Sequence, residues 1–155
     1  MEPRAPTPGL RLNAIKQLSE AGIPTSVMVA PLVPAINDHE MERILDAARA
    51  NGVKDAGYVL MRLPHEVNGL FKDWLIRHYP DRYTHVLSLL RSMRGGKDYD
   101  SEWGTRMKGV GPYAWQMGRR FDIAAKKLKL APMRMGARTD LFKPPVLSGT
   151  QLSLF

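Results

Sequence analysis

The sequence contains no cysteine, which excludes disulfides, thiolate nucleophiles and any iron–sulfur cluster held by the chain's own thiolates. It is poor in histidine, with His39, His65, His78 and His85 alone. His39-Glu40 opens a zincin-like pattern, but the second histidine that would complete the zinc pair is replaced by Arg43. All four histidines therefore read as surface or packing residues. No apolar run is long enough to span a bilayer. Nor does an apolar segment follow Met1-Glu2-Pro3-Arg4, as it would in a signal peptide, so the expected setting is the cytoplasm.

The 155 residues are one domain's worth, enough to bury a modest core. The 44% hydrophobic and 25% charged fractions place the chain among soluble globular proteins. The formal net charge is +8, which favours anionic partners such as nucleic acid. Up to Trp103 the charges nearly cancel; beyond it Arg106, Lys108, Arg119, Arg120, Lys126, Lys127, Lys129, Arg134, Arg138 and Lys143 face only Asp122 and Asp140. The basic excess thus belongs to the C-terminal third.

Residues 10–21 read as a helix with Ala14, Ile15 and Leu18 on one face and Gly22 at C′. Thr25 to Ala30 reads as a strand ending at Pro31. In the loop that follows, Asn37 can cap the next helix, with Glu40 completing a capping box. That helix turns Met41, Ile44, Leu45 and Ala48 inward and stops at Gly52. Residues 56–64 form a nearly continuous apolar strand, the pattern of a strand covered on both faces. Val67, Leu70, Phe71, Trp74 and Leu75 then follow helical spacing up to Pro80, and Tyr83, Val86, Leu87 and Leu90 make another helix ending at Gly95-Gly96. This alternation predicts a parallel α/β fold with crossover helices. Two strands alone leave open edges and an incomplete core, which points to a missing upstream part. After Trp103 come a glycine-punctuated loop and a helix opened by Pro112, with Tyr113, Met117, Phe121, Ala124 and Leu128 as its apolar stripe.

Several segments, in order, resemble one family. They are Glu2-Pro3-Arg4, Arg11-Leu12-x-Ala14-Ile15, Ala21-Gly22-Ile23-Pro24, residues 30–38 (APLVPAIND), residues 60–67 (LMRLPHEV), Arg91-x-Met93-Arg94-Gly95-Gly96-Lys97 and Gly109-x-Gly111-Pro112-Tyr113-Ala114. Together they resemble the C-terminal half of radical SAM proteins of the spore-photoproduct-lyase-like, or DNA repair photolyase-like, branch. The resemblance implies the second half of a partial (β/α)6 barrel over residues 1–98, a basic helical extension over 99–135 and a tail over 136–155. It also implies an iron–sulfur cluster, carried on a three-cysteine loop after the first strand, that cleaves S-adenosylmethionine. This chain has no cysteine to hold that cluster, and the cofactor carries the hard chemistry in such enzymes. The chain alone is therefore expected to be inactive and to hold no cofactor by itself. An apolar residue, often Leu or Met, precedes Glu-Pro-Arg in the family, so Met1 is expected to be an internal methionine of a longer frame. With the other half supplied, Pro31, Asn37, Arg62, His65 and Glu66 would stand at the barrel rim near the cofactor. Arg62 and Glu66 fit that role or a salt bridge closing the rim. Ala35 stands where the family has a turn glycine.

Two features point toward DNA. Residues 107–114 (MKGVGPYA) resemble the hairpin of a helix-hairpin-helix element, in which Gly109 and Gly111 would let amides converge on a phosphate while Arg106, Lys108, Arg119 and Arg120 add phosphate contacts. The same residues also fit a glycine turn entering a basic surface helix. The chain ends Gln151-Leu152-Ser153-Leu154-Phe155, which resembles the pentapeptide by which bacterial proteins bind the DNA sliding clamp. Leu152, Leu154 and Phe155 would fill apolar pockets and Gln151 would hydrogen-bond at the rim. The reading is a DNA-associated enzyme fragment whose partners are its missing N-terminal half, DNA and the clamp, with no membrane; the alternative is a non-catalytic DNA- or clamp-binding module.

Overall fold

The computed structural model describes residues 4–133, 140 and 142–143. The terminal motif Gln151–Phe155, and the basic residues Arg134 and Arg138, lie outside them. The chain forms α1 (Pro8–Glu20), β1 (Ser26–Leu32), α2 (Met41–Ala50), β2 (Asp55–Leu60), α3 (Glu66–His78), α4 (Tyr83–Ser92), α5 (Gly111–Lys127) and β3 (Ala131–Pro132), with short 3-10 turns at Asp38–Glu40 and Pro80–Arg82. The expected α/β class holds. The sheet is parallel, in the order β1-β2-β3.

β1 and β2 are joined through α2 and pair with Val27 opposite Ala56, Met28 opposite Gly57 and Val29 opposite Tyr58. Because side chains alternate along a strand, this register stacks Val27, Val29, Ala56, Tyr58 and Leu60 on one face. The helices cover that face. α2 buries Met41, Leu45 and Ala48, which fall at i, i+4 and i+7. α5 buries Ala114, Met117, Phe121 and Ala124, and its Phe121 ring meets Tyr58 with centroids 4.8 Å apart. Phe71, Leu75, Val86, Leu87 and Leu90 from α3 and α4 join the same core cluster. Each fully buried side chain of this kind contributes roughly 1.5–3 kcal/mol.

Four expectations need correction. Among the described residues the sheet has three strands rather than two; β3 has two residues, too few to show an alternating pattern. It is anchored by the Ala131 and Met133 amides, which donate to Lys54 O and Ala56 O. β1 runs on through Pro31 to Leu32, with a register irregularity between Val29 and Leu32 where a proline forfeits no ladder bond. α1 has no fully buried residue: of its Ala14, Ile15 and Leu18 face, Ile15 alone packs, partly buried, against the core, while Ala14 and Leu18 are exposed. β2 is buried on one face only: Gly57 and Val59 on its other face are half-buried, and their neighbour Met28 on β1 is 45% exposed. A nearly continuous apolar run therefore did not mean two covered faces.

Candidate nucleic-acid interface

The segment between α4 and α5 begins with a polar hub. Asp98 accepts from Lys72 Nζ at 2.6 Å, Arg91 Nε at 2.6 Å and Asn68 Nδ2 at 3.2 Å. It thereby ties α3 and α4 to the start of the loop. Arg94, 3% exposed, bridges the loop to the sheet by donating to Thr105 O and Met61 O, both at 3.1 Å. Burial, then the neighbouring charge of Arg62, pulls its pKa below the usual arginine range. The loop returns to the sheet where the Leu60 amide donates to Met107 O at 2.9 Å.

The helix-hairpin-helix expectation fails here, because residues 99–106 form no helix. The Asp100 carboxylate bonds the Glu102 amide and the Thr105 hydroxyl, the local side-chain bonding that favours turns over helix. The Gly109 and Val110 amides donate to Thr105 O and Met93 O. A Cβ on Gly109 would stand 3.1 Å from Met93, and one on Gly111 would stand 3.2 Å from Ser92 O. Both glycines have positive φ and let this turn pack against the end of α4.

The four basic candidates divide. Arg120 is committed within the fold: its guanidinium makes two 2.7 Å bonds to the Glu42 carboxylate and one of 3.0 Å to Asp38 O. The Glu42 pKa is lowered, chiefly by that arginine. Tyr113 joins the knot by donating to the Asp38 carboxylate; burial, then that bond, raises its pKa. Arg106 lies over the Trp103 ring, 4.0 Å from its centroid. Lys108 and Arg119 are exposed and share a cleft of about 380 Å³ with Tyr58, Trp115 and Asp122. A second cleft, of about 570 Å³, continues along β2 and α5 and shares Tyr58, Lys108 and Asp122 with the first, adding Lys126. Burial, with the Asp122 charge beside it, raises the Tyr58 pKa, so its hydroxyl remains a hydrogen-bond donor.

Trp115, Tyr58, Asp122 and Lys126 were missed as site residues. A signal was present: Trp115, Arg119, Asp122 and Lys126 fall at i, i+4, i+7 and i+11, a single ridge of α5 beside its apolar stripe.

The rim candidates near β1 and β2 are scattered. Asn37 makes no helix cap; its side chain accepts from the Val33 amide at 2.7 Å and donates to Pro31 O at 3.1 Å. It thus holds the loop after β1, with both its polar atoms engaged. Pro31 is exposed and follows a cis peptide bond. Arg62 does not pair with Glu66. It donates to Tyr99 Oη at 3.1 Å and lies 3.6 Å from the Met107 sulfur, while its buried Nε has no partner. Glu66 is exposed in the first turn of α3, and His65 is exposed with φ 41°. The other three histidines are also exposed. Among the described residues no three His, Asp or Glu side chains form a group able to hold a metal ion, and no helix is long and apolar enough to cross a membrane.

No protein-family model matches the chain, and no solved structure matches it significantly. The chain is similar to uncharacterized proteins of Mycobacterium tuberculosis and Mycobacterium bovis, 30% identical over 93 residues in each case. The match covers 59% of this chain and 27% of each relative, so the chain aligns with about a quarter of the length of the curated proteins it resembles.

Proposed function

We propose that this chain is the C-terminal half of a radical SAM enzyme of the spore-photoproduct-lyase-like branch, associated with DNA in the cytoplasm and unable to start radical chemistry alone. One observation carries the reading: the sheet is unfinished on the side of its first strand. Among the described residues β1 has no partner on its outer edge, the sheet face bearing Met28 is only partly covered, and α1 contributes no fully buried residue. An open edge and a partly covered face are what a barrel cut in half presents. Ala35 gives further support, since its φ of 58° lies in the left-handed region that glycine favours, and the family has glycine at this position.

The residues present do not fit the implied cofactors. The chain has no cysteine for the cluster, and Asn37 and the terminal nitrogens of Arg62 bond within the fold. Cluster and S-adenosylmethionine would be held by the other half, and no step of their chemistry is assigned to residues of this chain. The basic extension and the terminal motif Gln151–Phe155 would serve recruitment to DNA and to the sliding clamp.

A non-catalytic DNA- or clamp-binding module is the second reading, favoured by the continuous core that α2 to α5 and the sheet build without help. Size-exclusion chromatography with thermal melts followed by circular dichroism separates the two. The half-barrel reading expects self-association or a broad melt from the unpaired β1 edge. A monomer with a sharp two-state transition would favour the module.

A further inference from the structure

We propose that the furrow between β2 and α5 is a binding track for single-stranded nucleic acid, with bases stacked on Trp115 and Trp103. The inference deepens the DNA-associated reading above and rests on it. Three observations meet here. The chain's positive charge is concentrated at this end, and Lys108, Arg119 and Lys126 line the two joined clefts against one carboxylate, Asp122. Trp115, on the wall of the first cleft, is 69% exposed, and Trp103, on the loop leading into it, is 79% exposed. Arg106 lies over the Trp103 ring, 4.0 Å from its centroid, which sets a cation against that indole.

An indole left in water beside cations is poorly explained by core packing, but it is the arrangement that binds unpaired bases. Every base has a π-face, and the phosphates between bases need charges spaced along a groove. A duplex hides its base faces and would leave both indoles idle, so the observations favour a single strand. Each cleft has the volume of a small-ligand site. Tyr58, whose hydroxyl remains protonated, lies between the clefts as a further donor.

The test titrates the intact chain with single-stranded oligothymidine and, separately, with the matching duplex at low salt. Tryptophan quenching and fluorescence anisotropy are the readouts. The single strand is expected to bind about tenfold or more tighter than the duplex. Trp115→Ala and Trp103→Ala should each weaken it about tenfold without changing the salt dependence. Trp115→Phe should retain most of the affinity. Lys108→Ala and Arg119→Ala should each lower the salt slope by about one. All these side chains are exposed or half-buried, and circular dichroism of each variant checks that it is folded. Duplex binding as tight as single-strand binding, or single-strand affinity indifferent to both tryptophan variants, would overturn the single-strand track and leave general DNA association standing. Binding to neither probe would overturn both.

Discussion

Replacing Arg94 with methionine is expected to destabilise the fold by about 1–3 kcal/mol, although the new side chain is apolar and close in length. Arg94 is nearly completely buried and is the donor to two carbonyls, Thr105 O and Met61 O. Removing it leaves the buried Met61 O without its partner, a loss of roughly 1–3 kcal/mol, and takes one of two bonds from Thr105 O, which keeps the Gly109 amide. Relief from burying a guanidinium offsets part of that cost, since burial already pulls its pKa down. Lysine should rescue little, because one ammonium does not reproduce the planar fork that spans both carbonyls. The loss should appear as a lower urea midpoint with an unchanged m-value. Hydrogen exchange supplies the local signature: the Leu60 amide, bonded to Met107 O at the return of the loop, should lose protection before the amides of α2. A midpoint shift equivalent to less than about 0.5 kcal/mol, the range of an ordinary surface change, would contradict this role.

Asp98→Asn is expected to cost about 1–2 kcal/mol at neutral pH, a value reduced for solvent screening because Arg91 is half exposed. The asparagine keeps the shape but removes the charge on which Arg91, Lys72 and Asn68 converge. Those partners, Arg91 foremost, hold the Asp98 carboxyl well below the usual carboxylate range. A depressed pKa adds stability that is fully present above the unfolded value, about 3.9 for Asp, and is lost as pH falls toward the folded value. The gap between wild type and variant should therefore be widest near neutrality and should close progressively below about pH 4. The Glu42 carboxyl, lowered chiefly by Arg120, acts in the same direction in both proteins and cancels in the comparison. Chemical denaturation of both proteins across this pH range decides the matter; a gap that grows in acid would contradict the hub.

Neither residue had a role assigned from sequence, Arg94 entering only within the segment Arg91 to Lys97 and Asp98 not at all, and the reason is physical. Periodicity marks side chains that bury apolar surface, and it located α2 through Met41, Leu45 and Ala48 and α5 through Met117, Phe121 and Ala124. Local turn chemistry was also legible: Gly22 and Gly52 carry the positive φ that a helix C′ position asks for, and Pro112 opens α5. Long-range polar contacts leave no such trace. Arg94 and Asp98 sit in a segment without period, and their partners lie up to 33 and 30 residues away. Arg120 looked like one more cation in a basic run until Glu42, 78 residues distant, was seen to claim it. Trp115 was legible only as part of the ridge it shares with Arg119, Asp122 and Lys126, and the stripe beside it drew the attention. The one-sided cover of β2 was hidden for a related reason: Val59 and Gly57 fit an interior face equally well whether or not another layer lies over it.

That partly covered face bears on the central proposal, that the chain is half of a larger barrel. The most direct measurement is the genomic sequence upstream of the Met1 codon. The half-barrel proposal predicts an in-frame continuation, or one a single frameshift away, encoding further β/α units and three cysteines spaced Cys-x3-Cys-x2-Cys. A ribosome-binding site at Met1 with no cysteine-bearing frame beside it would contradict the half-barrel and leave the nucleic-acid-binding module in its place.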